Sequence, residues 1–375
     1  MRFGFHKLLK PVEWREDWIY LLDHTIDFGV KKCLVVLGVT LEKFRQNQGK
    51  LRHQDMEILA ITIHESATAA SVQGTLETVS ATTGVPAQIV SDNGSNIKRG
   101  VEDFLKEKPR TKYTYDITHK VGILLKHHLE NDANWNLLVK KTCETKRSLL
   151  HTILGFLAPP KPRDKSRWLN LDSYLDWAEK VLCFGKVSME CIEREKYDSK
   201  LAWLHGFKPY LKEWRTMLDM LNAAKDDVKI NGLRKESAKR FKQAISELNT
   251  STTRLQQLKR EIIEYLNEES ADIDDPKPWL GCSDIIESIF GKYKNFSAKT
   301  PMKEVGRAVL TMPVFTSEIT LEEVKMAMEN VSTQDVNNWL GLNIGDTLFA
   351  KRKRAYNSIN KNKKSSVMKL QLKIE

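Results

Sequence analysis

Three acidic residues stand where carboxylates can do chemistry. Asp23 closes the apolar run Trp18-Ile19-Tyr20-Leu21-Leu22 and has Thr25 two places on. Asp92 sits at the tip of Ser91-Asp92-Asn93-Gly94-Ser95, and Glu287 lies within the helix-like stretch from Ser283 to Lys292. Carboxylates at two strand ends and on one helix can converge at the edge of a sheet. Such a set suits two divalent ions with oxygen ligands, one activating water or a 3′ hydroxyl and the other stabilising the leaving oxygen. The chemistry would be in-line attack on a phosphodiester. Each acid also has a plainer reading or a rival. Asp92 fits an ordinary Asx turn. Asp27, beside the Gly29 turn, competes with Asp23, but the apolar run favours Asp23. Asp284 shares roughly one helix face with Glu287 and would either assist it or cap the helix start.

The elements that must position these residues follow from the apolar patterning. Runs over 18–23 and 32–39, joined through Gly29, read as a β-hairpin. A helix is expected over Glu65–Val79, ended by Gly84 and Pro86. A buried-type strand over Ala87–Ser91 leads into the Asp92 turn, followed by a helix over Ile97–Lys106, a strand over Lys112–Asp116 and a helix over Ile117–Glu130. Alternating strands and helices indicate an α/β domain. Beyond residue 130 the strand signal disappears. Leu149–Leu154, Leu171–Phe184 and Leu201–Asn222 read as helical. Residues 226–269 carry apolar positions at helical spacing, from Leu233 and Phe241 to Ile262 and Leu266. Breaks fall at Pro159-Pro160-Lys161-Pro162 and at Asp274-Asp275-Pro276-Lys277-Pro278. A short helix over Ser283–Tyr293 and a smaller helical region to about Leu348 come next. Lys351-Arg352-Lys353-Arg354 and Lys361-Asn362-Lys363-Lys364 then form a basic tail, expected to be mobile. The expected division is a short charged, irregular segment over 1–17, a core over 18–130, a helical insertion over 131–278, completion of the core over 279–350, and the tail over 351–375.

Composition narrows the function. Of 375 residues 41% are hydrophobic, enough for a packed core, and the net charge of +11 favours a polyanionic partner such as nucleic acid. The five cysteines, Cys33, Cys143, Cys183, Cys191 and Cys282, include no CxxC pair. They read as reduced thiols of a cytosolic protein rather than as a zinc site or disulfide framework. No signal peptide and no membrane-length apolar run is evident. No GxxxxGK[ST] phosphate loop is present, so ATP use is not expected. No nucleophile–base pair for serine or cysteine catalysis stands out.

In order and in motif the sequence resembles DDE transposases with a ribonuclease-H-like core, particularly bacterial insertion-sequence transposases. Asp23-His24-Thr25 resembles their first-strand Asp-x-Thr. Ser91-Asp92-Asn93-Gly94-Ser95 resembles the second-acid motif of integrases, and Glu287-Ser288-Ile289-Phe290-Gly291-Lys292 the third-acid helix. Asp116-Ile117-Thr118-His119 is similar to the [C/D]xxH signature of the hAT, Mutator and P-element groups, in which the last acid follows an inserted helical domain. The resemblance implies an α/β ribonuclease-H-like mixed sheet interrupted by a large all-α insertion. It implies Mg²⁺-dependent cleavage of element ends and strand transfer, with two ions (Mn²⁺ substituting) on Asp23, Asp92 and Glu287. Double-stranded DNA, both element ends and target, would be the partner. A homodimer or higher assembly on DNA and a bacterial cytoplasmic, nucleoid-associated location are implied as well. Such enzymes usually carry an end-binding domain ahead of the core. With 17 residues before the first strand, the expectation is a truncated copy or end binding by the insertion and tail.

Further support residues are read with two roles each. His119 either ligates or braces the active-site strand. Arg167-Trp168 resembles the Arg-Trp pair of hAT insertion domains, where the tryptophan would stack on a flipped base, although most helix tryptophans pack cores. Lys292 and Lys351, Arg352, Lys353 and Arg354 would meet phosphates, or stay solvated. Two other classes share these features: a catalytically inactive, DNA-binding derivative of a transposase, and a ribonuclease-H-like nuclease acting on hybrids or junctions.

Overall fold

The computed structural model describes residues 1–25, 31–161, 170–186, 191–273, 277–299, 302, 304–316 and 318–371. The chain divides into two compact units, residues 1–116 with 279–375, and residues 117–278.

The first unit is built on a five-stranded sheet: β1 (Trp18–Thr25), β2 (Lys32–Thr40), β3 (Glu57–His64), β4 (Gln88–Ser91) and β5 (Lys112–Tyr115), in the order β3-β2-β1-β4-β5. β2 runs antiparallel to both neighbours, whereas β1, β4 and β5 are mutually parallel. That mixed order is the ribonuclease-H-like sheet. Its helices are α1 (Arg2–Leu9), α2 (Leu41–Gln46), α3 (Ala69–Thr83) and α4 (Ser95–Glu107).

Period-2 alternation divides the core between the two faces. Trp18, Tyr20 and Leu22 of β1 and Leu34 and Val36 of β2 pack with Val72, Leu76 and Val79 of α3 and Ile97, Val101 and Phe104 of α4. Ile19 and Leu21, with Cys33, Val35, Leu37 and Val39, meet the opposite layer, which includes Phe5 of α1 and Phe44 of α2. The charged opening, expected to be irregular, thus forms a docked helix. A Cβ on Gly4 would lie 1.7 Å from the Leu310 carbonyl oxygen, so only glycine allows that approach. Buried Lys7 donates to the Thr316 carbonyl.

The second unit is built from helices joined by turns and loops among its described residues. It comprises α5 (Ile117–Leu129), α6 (Ala133–Leu149), α7 (Leu171–Phe184), α8 (Cys191–Leu201), α9 (Lys208–Asn231), α10 (Ser237–Ala244) and α11 (Thr253–Ser270). The stretch expected to be helical over 149–154 is instead the end of α6 followed by a 3-10 turn at Ile153–Leu157. Trp135 of α6 meets Trp214 of α9 edge to face, with ring centroids 5.4 Å apart. Asp132 caps α6, accepting from Trp135 N at 2.8 Å, and pairs with Arg254 of α11 at 2.6 Å.

The chain re-enters the first unit at Trp279 and forms α12 (Asp284–Ser297), a 3-10 segment (Arg307–Phe315), α13 (Leu321–Asn330), α14 (Thr333–Asn343) and α15 (Leu348–Gln371). The basic stretch expected to be a mobile tail is therefore helical as far as residue 371. It carries no acid and no proline, so nothing local interrupts it. No described helix is long and apolar enough to cross a membrane.

Candidate functional site

Parallel pairing aligns the acids of the sheet. Leu21 on β1 pairs with Val90 on β4, and Val90 pairs with Thr114 on β5. Asp23 lies two positions beyond Leu21, and Asp92 and Asp116 directly follow the last paired residues of β4 and β5, Ser91 and Tyr115. All three stand at the carboxyl end of the parallel strands, where open α/β sheets bind their ligands. Asp23 shares the face of Ile19 and Leu21, and that face is covered by Ile286, Ile289, Phe290 and Tyr293 of α12. Glu287 lies exposed in the first turn of α12, beside half-buried Asp284.

The Asp92 turn is held from several sides. Asp92 Oδ1 accepts from Gly94 N at 2.9 Å, the contact of an ordinary Asx turn. Asn93 adopts φ +62°, a conformation that asparagine tolerates. Tyr113 donates to Asn93 Oδ1 at 3.0 Å and shares a 2.7 Å hydrogen bond with Ser91 Oγ. Asp23 Oδ1 accepts from His24 N at 2.6 Å. Burial holds the His24 imidazole below its usual range, while the Asp92 carboxylate pulls it the other way. The charge of Asp92 is therefore felt at the end of β1.

Asp116 is fully buried. Its amide donates to Ser91 O at 2.9 Å, and its Oδ2 accepts from Ser283 N and, at 2.8 Å, from Ser283 Oγ. Gln88, also fully buried, donates from Nε2 to Leu280 O at 2.6 Å and to Thr114 Oγ1 at 2.8 Å. Its Oε1 accepts from Leu280 N at 3.2 Å. Residues 280–283 are thus fastened to β4 and to the end of β5 just before α12 begins. On the other side of α12, Lys292 Nζ donates to His53 Nδ1 at 3.3 Å, which leaves Nε2 to carry the ring proton toward Ser288 Oγ at 3.1 Å. Lys292 Nζ also lies 5.4 Å from the centre of the Phe315 ring.

Among the described residues, the potential metal ligands that gather within 4.8 Å of one another are Asp116, Cys282 and Asp284. Asp23, Asp92 and Glu287 do not form so tight a group. All three offer carboxylate oxygens, hard donors of the kind that magnesium takes. Cys33, Cys143, Cys183 and Cys282 take part in no disulfide. Spacing along the chain carries no sign of the Asp116–Cys282–Asp284 group, because its members meet only through the fold.

The remaining candidates are dispersed. His119 is half-buried on α5 in the second unit. Arg167, Trp168 and the rival acid Asp27 lie outside the described residues. Lys351, Arg352, Lys353 and Arg354 are exposed on α15, with Arg354 paired to Asp346.

The arrangement defines a ribonuclease-H-like core with acids aligned at the carboxyl edge of its parallel strands. No family model matches the sequence, and no curated protein matches it. Among solved structures, the Drosophila P element transposase strand transfer complex aligns over 89% of this chain and 81% of that one, at 11% identity and a TM-score of 0.37.

Proposed function

We propose that this protein is a DNA transposase that cuts the ends of a mobile element and joins them to target DNA. The observation that carries the reading is the parallel pairing of β1 with β4, which ends at Leu21 and Val90, two residues before Asp23 and Asp92, on the sheet face that α12 packs against with Glu287 in its first turn. Asp23, Asp92 and Glu287 would hold two Mg²⁺ or Mn²⁺ ions, which supply activation of the attacking oxygen and stabilisation of the leaving one. In support of this reading, Asp23 lies within β1, Asp92 directly follows β4, and Glu287 stands in the first turn of α12. The pinned Asp92-Asn93-Gly94 turn limits how far the second carboxylate can swing. The net charge of +11 and the exposed cations of α15 supply the attraction for duplex DNA.

The test is metal-dependent nicking of plasmid DNA carrying the sequences that flank the gene, with wild type beside Asp92→Asn and Glu287→Gln. Nicking should fall by about 100-fold or more in both, the scale on which losing one charge-stabilising group slows an enzyme. DNA binding should persist. Nicking that survives both substitutions would sink the triad. End-specific binding without nicking by wild type, in Mg²⁺ or Mn²⁺, would favour an inactive DNA-binding derivative.

A further inference from the structure

We infer that Asp116 is a positioning residue that sets the N-terminal end of α12, and through it the place of Asp284 and Glu287 in the first turn of that helix. The inference rests on the proposed nuclease reading for its consequence, but not for its geometry.

A serine that starts a helix normally turns its hydroxyl back onto the helix's own amides. Ser283 holds that position and makes no such bond. Its hydroxyl and its amide both donate to the carboxylate of Asp116, 167 residues away in sequence. The start of α12 is thus secured by a residue from the sheet edge. Asp116 itself cannot drift, because its amide is bonded to Ser91 O at 2.9 Å, one residue before Asp92. A short covalent and hydrogen-bonded path therefore links the second acid to the third-acid helix: Asp92, Ser91, Asp116, Ser283, Asp284. Gln88 repeats the attachment one step earlier by gripping both backbone groups of Leu280. From the other side, His53 touches α12 at Ser288 and Lys292, four residues apart on one face. Those contacts restrain rotation of the helix, while Asp116 fixes its starting point.

This role requires an acceptor oxygen, not a charge. Asparagine at position 116 offers one oxygen that can accept from both Ser283 N and Ser283 Oγ. Alanine offers none. A metal-ligand role for Asp116, alongside Cys282 and Asp284, would instead require the charge.

The experiment compares Asp116→Asn, Asp116→Ala and Ser283→Ala by amide hydrogen exchange over residues 280–290, and by nicking as a function of Mg²⁺ concentration. Asp116→Ala should speed exchange at the start of α12 by about tenfold, as expected for losing bonds to a charged group. It should also raise the half-saturating Mg²⁺ concentration. Asp116→Asn should restore both toward wild type. Ser283→Ala, which keeps one of the two bonds and guards against a misfolded Asp116→Ala, should fall between. Exchange that is unchanged in Asp116→Ala and Ser283→Ala would overturn the inference, and so would an Asp116→Asn variant as impaired in nicking as alanine with its helix fully protected. A wild type that does not nick would refute the transposase reading, while the exchange data would still decide the role of Asp116.

Discussion

Replacing Gln88 by leucine should destabilise the first unit by about 2–3 kcal/mol. Gln88 is fully buried, and its amide makes three hydrogen bonds, two to the backbone of Leu280 and one to Thr114 Oγ1. Each such bond is worth about 1 kcal/mol net, and a buried partner left unpaired costs about 1–3 kcal/mol. Leucine has similar bulk and recovers about 1 kcal/mol by its greater apolarity. The measurement is native-state hydrogen exchange of peptides covering β4 and β5 across a urea series, which reports the opening free energy of this part of the sheet. Gln88→Glu provides a control with a sign. Its carboxylate could still accept from Leu280 N, but it would face the Leu280 carbonyl without a proton to donate unless neutral. The folded pKa of the new acid would thus lie above its unfolded value, so stability is retained at low pH and lost as pH rises through the folded pKa. A Gln88→Leu loss below about 0.5 kcal/mol would refute the claim that these bonds hold residues 280–283 in place, since it falls under the cost of one unpaired group. A Gln88→Glu protein as stable as wild type at pH 8 would do the same.

Further expectations concern both units. Burial pushes the Tyr20 hydroxyl up to about 12 from an ordinary 10.0, and this hydroxyl donates to Gly84 O at 2.8 Å. A raised folded pKa means that the contribution of Tyr20 is fully present below pH 10 and is lost as pH rises toward 12. Tyr20→Phe should therefore flatten the alkaline fall of stability between those limits, as read by urea midpoints from pH 8 to 11.5. An unchanged slope would count against it. Asp132→Ala removes both the cap of α6 and the partner of Arg254, from a side chain only 3% exposed. The expected loss is about 3 kcal/mol in thermal unfolding of the helical unit. Asp132→Asn, which can still cap, should lose less, and equal losses would remove the cap from the account.

Much of the sheet was legible because its residues obey simple periods. The expected runs over 18–23 and 32–39 fall within β1 and β2, which extend to Thr25 and Thr40, and the run before Asp92 is short, apolar and closed by an Asx-Gly turn. α7 runs over 171–184, as its spacing suggests. β3 was harder to read. Its burial alternates incompletely, and its pairing with β2 shifts register between Val36 and Leu37, so Glu57–His64 carries no clean two-residue period and no bounds could be drawn. Its edge position leaves half-buried residues that read equally well as the approach to a helix. The expected helix from Glu65 begins only at Ala69, where Thr68 and Ser71 form a reciprocal cap. The strand-end positions of Asp23 and Asp92 could be read from local pattern. The grip of Gln88 on Leu280 and of Asp116 on Ser283 could not, because it joins residues 192 and 167 apart, and glutamine and serine carry no periodic signal.

The re-entry of the chain at Trp279 also has a meaning in time. β5 and α12 belong to one unit, yet residues 117–278 must be synthesised between them. At roughly 5–20 residues per second on the ribosome, that excursion lasts about 8–30 s. During this interval the nascent sheet has α1 and α2 on the face of Ile19 and Leu21 but lacks α12, which completes its cover. An apolar sheet face left partly open for that long is a substrate for chaperones and a hazard for aggregation.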